Sequence, residues 1–193
     1  MTLSNNYIKY WIILVSMMIL TSCYSDYYVL NQRSTEPVSG IKMSEYGSFE
    51  QTAMNAFILK ENSATGFGRE YLTNYHADMT LNMIKGDSIV IALRTISENY
   101  PEDSGIRIGL STSGILISER GRRIYHSKDI TLAEEGHTRL QFIHDGNNVK
   151  IKADCDEIEF RTALPATEYV IVQTPPGTEA QFYGIQIAEV LSE

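Results

Sequence analysis

Asp78, Thr80 and Asn82 alternate with Met79, Leu81 and Met83, and this two-residue period constrains the fold more than any other feature. Successive side chains on an extended strand point to opposite faces, so such a run buries one face and wets the other. Ser88–Ile96 is more continuously apolar, as for a central strand covered on both faces, and Gly86-Asp87 supplies the turn between the two. Ile106–Leu110, Ile115–Ile117 and Arg123–Tyr125 follow. Leu140–His144 then leads through Asp145-Gly146-Asn147-Asn148 into Val149–Ala153, a hairpin whose turn residues suit positive φ. Ile158–Arg161, Tyr169–Gln173 and Gln181–Val190 complete the series. Many short strands with turn signals between them predict an all-β, two-sheet antiparallel sandwich over residues 41–193. One short helix is expected around Ser48–Leu59, where Phe49, Ala53, Ala56, Phe57 and Lys60 partly follow a helical period.

The first 40 residues obey a different logic. A polar head with one positive charge, Lys9, precedes the apolar run Trp11–Leu20, and Leu20-Thr21-Ser22-Cys23 closes it. Charged head, apolar middle and small residues at the cut make a secretory signal. The run is too short for a membrane span, which needs about 20 apolar residues. Leu20–Cys23 resembles the lipobox of bacterial lipoproteins, in which the signal is cleaved before a cysteine that receives a thioether-linked diacylglycerol and an acylated amino group. The resemblance implies a signal peptide over residues 1–22, lipidation at Cys23 and a polar tether over 23–40. It also implies a place in the bacterial cell envelope, at the outer membrane. Two or three acyl chains satisfy the need for more than one lipid signal.

Charge then limits the partners. The chain carries 16 basic and 24 acidic residues, a net charge of −8, and loss of Lys9 with the signal adds one negative unit. An acidic surface argues against nucleic acid and against electrostatic adhesion to anionic lipid. There are two cysteines, so alkylation of Cys23 leaves no intrachain disulfide, and the sole tryptophan, Trp11, departs with the signal.

Ser88–Ile96, Glu102–Leu110, the Phe142–Ile151 hairpin and the final Phe182–Val190 strand occur in an order that resembles the concanavalin A-like jelly roll of lectins, laminin G-like modules and glycan hydrolases. Within it, Ser104-Gly105-Ile106 is similar to a step of the 3-keto-disaccharide hydrolase-like domains, with Asp103 where that family usually has Asn. The resemblance spans about Met43–Leu191. It implies two antiparallel sheets packed face to face and a concave outer face on which an extended glycan could lie.

Asp154-Cys155-Asp156-Glu157-Ile158-Glu159 is the sharpest candidate for chemistry. Retaining glycoside hydrolases need two carboxyl groups about 5 Å apart. Asp154, Asp156 and Glu159 match the Glu-x-Asp-x-x-Glu strand of laminarinase-type jelly-roll enzymes except for a shorter first residue. A solvated strand edge explains the same residues. His76, His126, His137 and His144 show no metal-ligand spacing and read as surface histidines; no metal and no cofactor is implied. Asp145–Asn148 offers oxygen ligands for calcium, but a tight hairpin accounts for it. Tyr71, Tyr75, Tyr100 and Tyr125 are candidates for stacking on a sugar ring, against the bland reading of surface tyrosines with packed rings. Arg122 lies in the basic cluster Arg120–Arg123, a grip for an anionic sugar or a solvated hairpin end. The leading expectation is non-catalytic carbohydrate binding. A glycan-active hydrolase and a structural lipoprotein binding an envelope protein are the alternatives.

Overall fold

The computed structural model describes residues 49–53, 56–68, 74–95, 105–167 and 169–190. They form two antiparallel sheets in the manner of a jelly-roll sandwich, and none of them is helical. In chain order the strands are β1 (Phe49–Ala53), β2 (Ala56–Leu59), β3 (Ser63–Gly68), β4 (Tyr75–Lys85), β5 (Ser88–Leu93), β6 (Ile106–Ser111) and β7 (Gly114–Glu119). β8 (Arg122–Ser127), β9 (His137–Asp145), β10 (Asn148–Ala153), β11 (Asp156–Arg161), β12 (Tyr169–Thr174) and β13 (Glu179–Glu189) follow. The seven-stranded sheet runs β1-β2-β13-β4-β9-β10-β11 and the six-stranded sheet β3-β12-β5-β6-β7-β8.

The period of two is visible in what is buried. Ala77, Met79 and Leu81 of β4 and Ile89, Ile91 and Leu93 of β5 are fully buried, and Leu140 and Phe142 of β9 meet them in one core. Phe57 stacks on Phe182 with ring centroids 5.1 Å apart. Removing such side chains from water drives the two sheets together. Val90 and Ala92, on the other face of β5, are only half-buried; β5 is therefore covered on one face, and its continuous apolar look comes from small residues on the other.

The expected helix at Ser48–Leu59 is not formed within its described residues. β1 and β2 pair antiparallel there, with Phe49 opposite Leu59 and Gln51 opposite Phe57. Phe57 and Leu59 are buried while Ile58 between them is not, so the two-residue period overrides the partial helical one. The Gly86-Asp87 turn carries the chain from one sheet to the other rather than closing a hairpin. Gly86 has φ +86°, and a Cβ there would lie 2.6 Å from the Thr178 hydroxyl oxygen, so the turn needs glycine twice over. The expected β9–β10 hairpin is present, with Asn148 opposite Asp145 and Gly146 at φ 54°.

β13 carries a bulge. Tyr183 opposes Thr80 but Gln186 opposes Asp78, one residue more than β4 supplies. Gly184, at φ 63°, takes the odd position. Before it Ala180 and Phe182 face the core; beyond it Ile185 and Ile187 do.

Cys155 lies in the β10–β11 turn. The chain's other cysteine, Cys23, lies outside the described residues, as do the whole signal segment and tether.

Candidate functional site

The outer face of the seven-stranded sheet holds an unusual concentration of buried polar groups. Because Ala77, Met79 and Leu81 face the core, His76, Asp78 and Thr80 project from the opposite face. The register places Lys152, Gln141, Asp78 and Gln186 in one row across β10, β9, β4 and β13. Arg139, Thr80 and Tyr183 lie in a second row, and His137, Asn82 and Gln181 in a third. His76 and Asp78 are 5% exposed and Gln141 1%, although none of them faces the core.

Asp78 organises this face. Its carboxylate accepts hydrogen bonds from Arg139 Nε at 3.0 and 3.1 Å, from Arg139 Nη2, and from Gln141 Nε2 at 3.2 Å. Charge-assisted, two-pronged bonds of this kind fix both partners as planar groups. The Arg139 side chain remains 37% exposed. Two buried atoms are left without a partner: His76 Nε2 and Gln141 Oε1. Burial, assisted by Arg139 and Lys152 and opposed by Asp78, lowers the His76 pKa and keeps the imidazole neutral. Beside this floor, exposed His137 and half-buried Tyr183 meet edge to face, ring centroids 5.6 Å apart at 89°. The face thus combines fixed donors and acceptors, unmet hydrogen-bonding capacity and a partly exposed aromatic pair. The described residues contain no group of three or more His, Cys, Asp or Glu side chains placed to hold a metal ion.

The residues singled out from the sequence fall elsewhere. Asp154 sits in the β10–β11 turn at φ 52°; its Oδ1 accepts from the Arg139 N–H at 2.8 Å and its own N–H donates to the Arg139 carbonyl at 2.8 Å, so it clamps strand ends. Asp156 and Glu159 are exposed on β11 and, three residues apart on a strand, point to opposite faces. Glu159 lies 3.6 Å from the Lys150 ammonium, and Glu157 lies 2.9 Å from that of Lys152. Arg122 is exposed on β8 and Tyr125 is half-buried against the core. Tyr71, Tyr100 and Cys23 lie outside the described residues.

Tyr75 is a correction. It is buried to 1% exposure and stacks on His144 with centroids 4.4 Å apart, so its ring offers no ligand platform. It occupies an inward position of β4, which its place in the alternation with Ala77 and Met79 could have revealed. His76 and His144 likewise correct the reading of surface histidines; His126 and His137 are exposed as expected. Around Tyr75 lies a second buried polar group. Arg94 donates to the Leu164 and Gly146 carbonyls at 2.6 Å each, and its Nε, the Tyr75 hydroxyl and both His144 ring nitrogens have no partner. Burial, with the Arg94 cation adding to it, pushes the His144 pKa down to about 3.

Tyr183, Arg139 and Asp78 escaped sequence reasoning as site residues, and His137 reads from the sequence only as a surface histidine. They come from three strands far apart in the chain, and only the pairing register brings them together.

No protein-family model and no curated protein matches the sequence. Solved structures do match the fold. Carbohydrate-binding module CBM66 from Bacillus subtilis superposes with a TM-score of 0.56 at 12% identity, covering 77% of this chain and 98% of that one. The exoplasmic/lumenal domain of VIP36, solved bound to Ca2+ and Man3GlcNAc, gives 0.55 at 12% identity over 76% of this chain and 84% of its own. A glycosyl hydrolase-like protein from Parabacteroides distasonis gives 0.57 at 10% identity, over 73% and 83%. At these identities the likeness is one of fold, and the fold is the concanavalin A-like sandwich.

Proposed function

We propose that this chain is a non-catalytic glycan-binding module of the cell envelope, reading its ligand on the outer face of the seven-stranded sheet. The observation that carries the reading is the Asp78–Arg139 pair, fixed in place with the Arg139 side chain 37% exposed, beside the edge-to-face rings of exposed His137 and half-buried Tyr183. Sugar rings present adjacent hydroxyls to planar groups such as carboxylates and guanidinium, and apolar C–H faces to aromatic rings. Tyr183 and His137 supply the rings. Structural likeness to a carbohydrate-binding module and to a domain solved with a mannose-containing oligosaccharide supports the ligand class.

A glycan array probed with the full chain, followed by titration calorimetry, tests the reading. Asp78→Asn and Tyr183→Ala each weaken binding at least about tenfold, the loss expected when one fixed polar contact or one stacking ring is removed. Asp156→Asn leaves binding unchanged. An array blank across all glycan classes overturns the reading, as does binding indifferent to Asp78 and Tyr183.

The same proposal places the module on a membrane through lipid at Cys23, supported by the lipobox-like Leu20–Cys23. With two cysteines in the chain, a thioether at Cys23 and a disulfide joining it to Cys155 exclude each other. Incorporation of labelled palmitate that disappears in Cys23→Ser supports lipidation. An intact mass showing a Cys23–Cys155 disulfide and no acyl chains overturns it.

A further inference from the structure

Among the described residues, β8 and β11 are the terminal strands of the two sheets. β1 and β2 lie against β3, which fixes the opposite ends of both sheets side by side. β8 and β11 therefore share the other flank of the sandwich. Their charges are opposite. β8 exposes Arg122 and Arg123, next to Arg120 in its turn, whereas β11 exposes Asp156, Glu157 and Glu159 against one cation of its own, Arg161, with Lys150 and Lys152 of β10 beside the two glutamates. β4 and β5 reverse direction across their two-residue turn, and every neighbouring pair in each sheet is antiparallel. Strand by strand, this makes β8 and β11 run in opposite senses.

An unpaired strand edge is a template for another strand, and charges on it decide which one. Arg122 and Arg123 repel a second β8, and on β11 three carboxylates outnumber Arg161, so a second β11 is a poorer partner than β8. A β8–β11 contact is the attractive combination. A two-fold axis parallel to the strands exchanges the two layers and preserves strand direction. It sets β8 of one copy beside β11 of the other, antiparallel, and does so twice. We propose that this flank is a self-association surface whose partner is a second copy of the chain, joined by two symmetry-related β8–β11 contacts. An interface of this kind is self-complementary and closes at a dimer. Ile124, 42% exposed at the irregularity in β8, adds an apolar contact. The same irregularity cuts the free edge into two short stretches, so the contact is small and dominated by charge.

Light scattering on the full chain in detergent, with the micelle mass subtracted, provides the test. At low salt and high protein concentration the mass is that of two chains; added salt returns it to one. R122E/R123E, with two acidic edges, and D156K/E159K, with two basic ones, are each monomeric while retaining the parent's far-ultraviolet dichroism. Mixed one to one, they form a heterodimer, because each edge again meets its complement. This recovery excludes misfolding as the cause of the single-variant loss. A parent that stays monomeric at low salt overturns the proposal, and so does a mixture that fails to associate. Association of R122E/R123E by itself, as tightly as the parent, overturns it equally.

Discussion

His144 links the stability of the sandwich to pH. Its imidazole is fully buried, stacked on Tyr75 with centroids 4.4 Å apart, and neither ring nitrogen has a hydrogen-bond partner. An unfolded histidine titrates near 6.5, whereas burial and the neighbouring Arg94 cation push His144 down to about 3. The folded-state value of a base is thus depressed. Between the two values the unfolded chain takes up a proton that the folded chain refuses, so stability is complete above about pH 6.5 and falls with acidification. At about 1.4 kcal/mol per pH unit, the loss reaches about 2 kcal/mol at pH 5 and about 4 kcal/mol near pH 3. A domain of this size has a total stability of about 5–15 kcal/mol, so acid alone removes a large share. The window from pH 7 to 5 isolates the histidines, because Glu61 and Glu157, whose pKa values are lowered by Lys85 and Lys152, stay ionised throughout it. Urea unfolding followed by circular dichroism at pH 7, 6 and 5 measures the slope. His144→Phe keeps the stacked ring, removes both partnerless nitrogens and flattens most of the slope; the remainder belongs to His76, whose pKa is also lowered by burial. At pH 7 the variant is at least as stable as the parent, since about 1–3 kcal/mol of unmet hydrogen-bonding cost per polar atom disappears. A parent equally stable at pH 7 and 5 refutes the reasoning, and so does a His144→Phe variant with the parental slope.

Gly114→Ala, at φ +144° with its Cβ 2.3 Å from the Ser127 carbonyl oxygen, forces the β7–β8 hairpin apart and costs about 3 kcal/mol or more, read as a lower thermal midpoint. Phe142→Ala empties the centre of the core and costs about 3–5 kcal/mol in denaturant titration, with the slope m unchanged. Asp154→Ala loses the side-chain clamp on the Arg139 N–H and places alanine at φ 52°, costing about 1–2 kcal/mol in the same titration, whereas Asp154→Asn, which tolerates that φ and keeps the acceptor, is close to neutral.

The fold was largely legible because burial follows the two-residue period directly. Met79 and Leu81 inward with Thr80 outward is the same fact in sequence and structure. Where two periods competed, at Ser48–Leu59, a window of few residues could not separate them, and pairing with β13 decides for strand. The bulge in β13 also left a trace. Ala180, Phe182, Ile185 and Ile187 skip one step in the alternation, with Gly184 in the gap. The site was much less legible. The Asp154–Glu159 carboxylates stand out because they are neighbours in the chain, yet one clamps a turn and Glu159 pairs with lysine. Asp78, Arg139 and Tyr183 are unremarkable one at a time. Their proximity depends on which residue of β4 faces which of β9 and β13, and register is fixed by the whole core rather than by local sequence. Tyr75 shows the converse: a tyrosine near a loop looked available, but its inward parity commits it to the core.

In both sheets the strands that come latest in the described chain occupy interior slots. β12 lies between β3 and β5, and β13 between β2 and β4. As the chain emerges during synthesis, β2, β3, β4 and β5 are made early but find their neighbouring places vacant until the last strands arrive. The nascent domain therefore spends most of its translation with four unsatisfied strand borders; the six-stranded sheet closes only with β12 and the seven-stranded sheet only with β13. Truncation ahead of β12 leaves each sheet divided rather than merely shortened. Cellular quality control thus meets either the finished sandwich or an open, adhesive intermediate, with no stable smaller version of the domain between them.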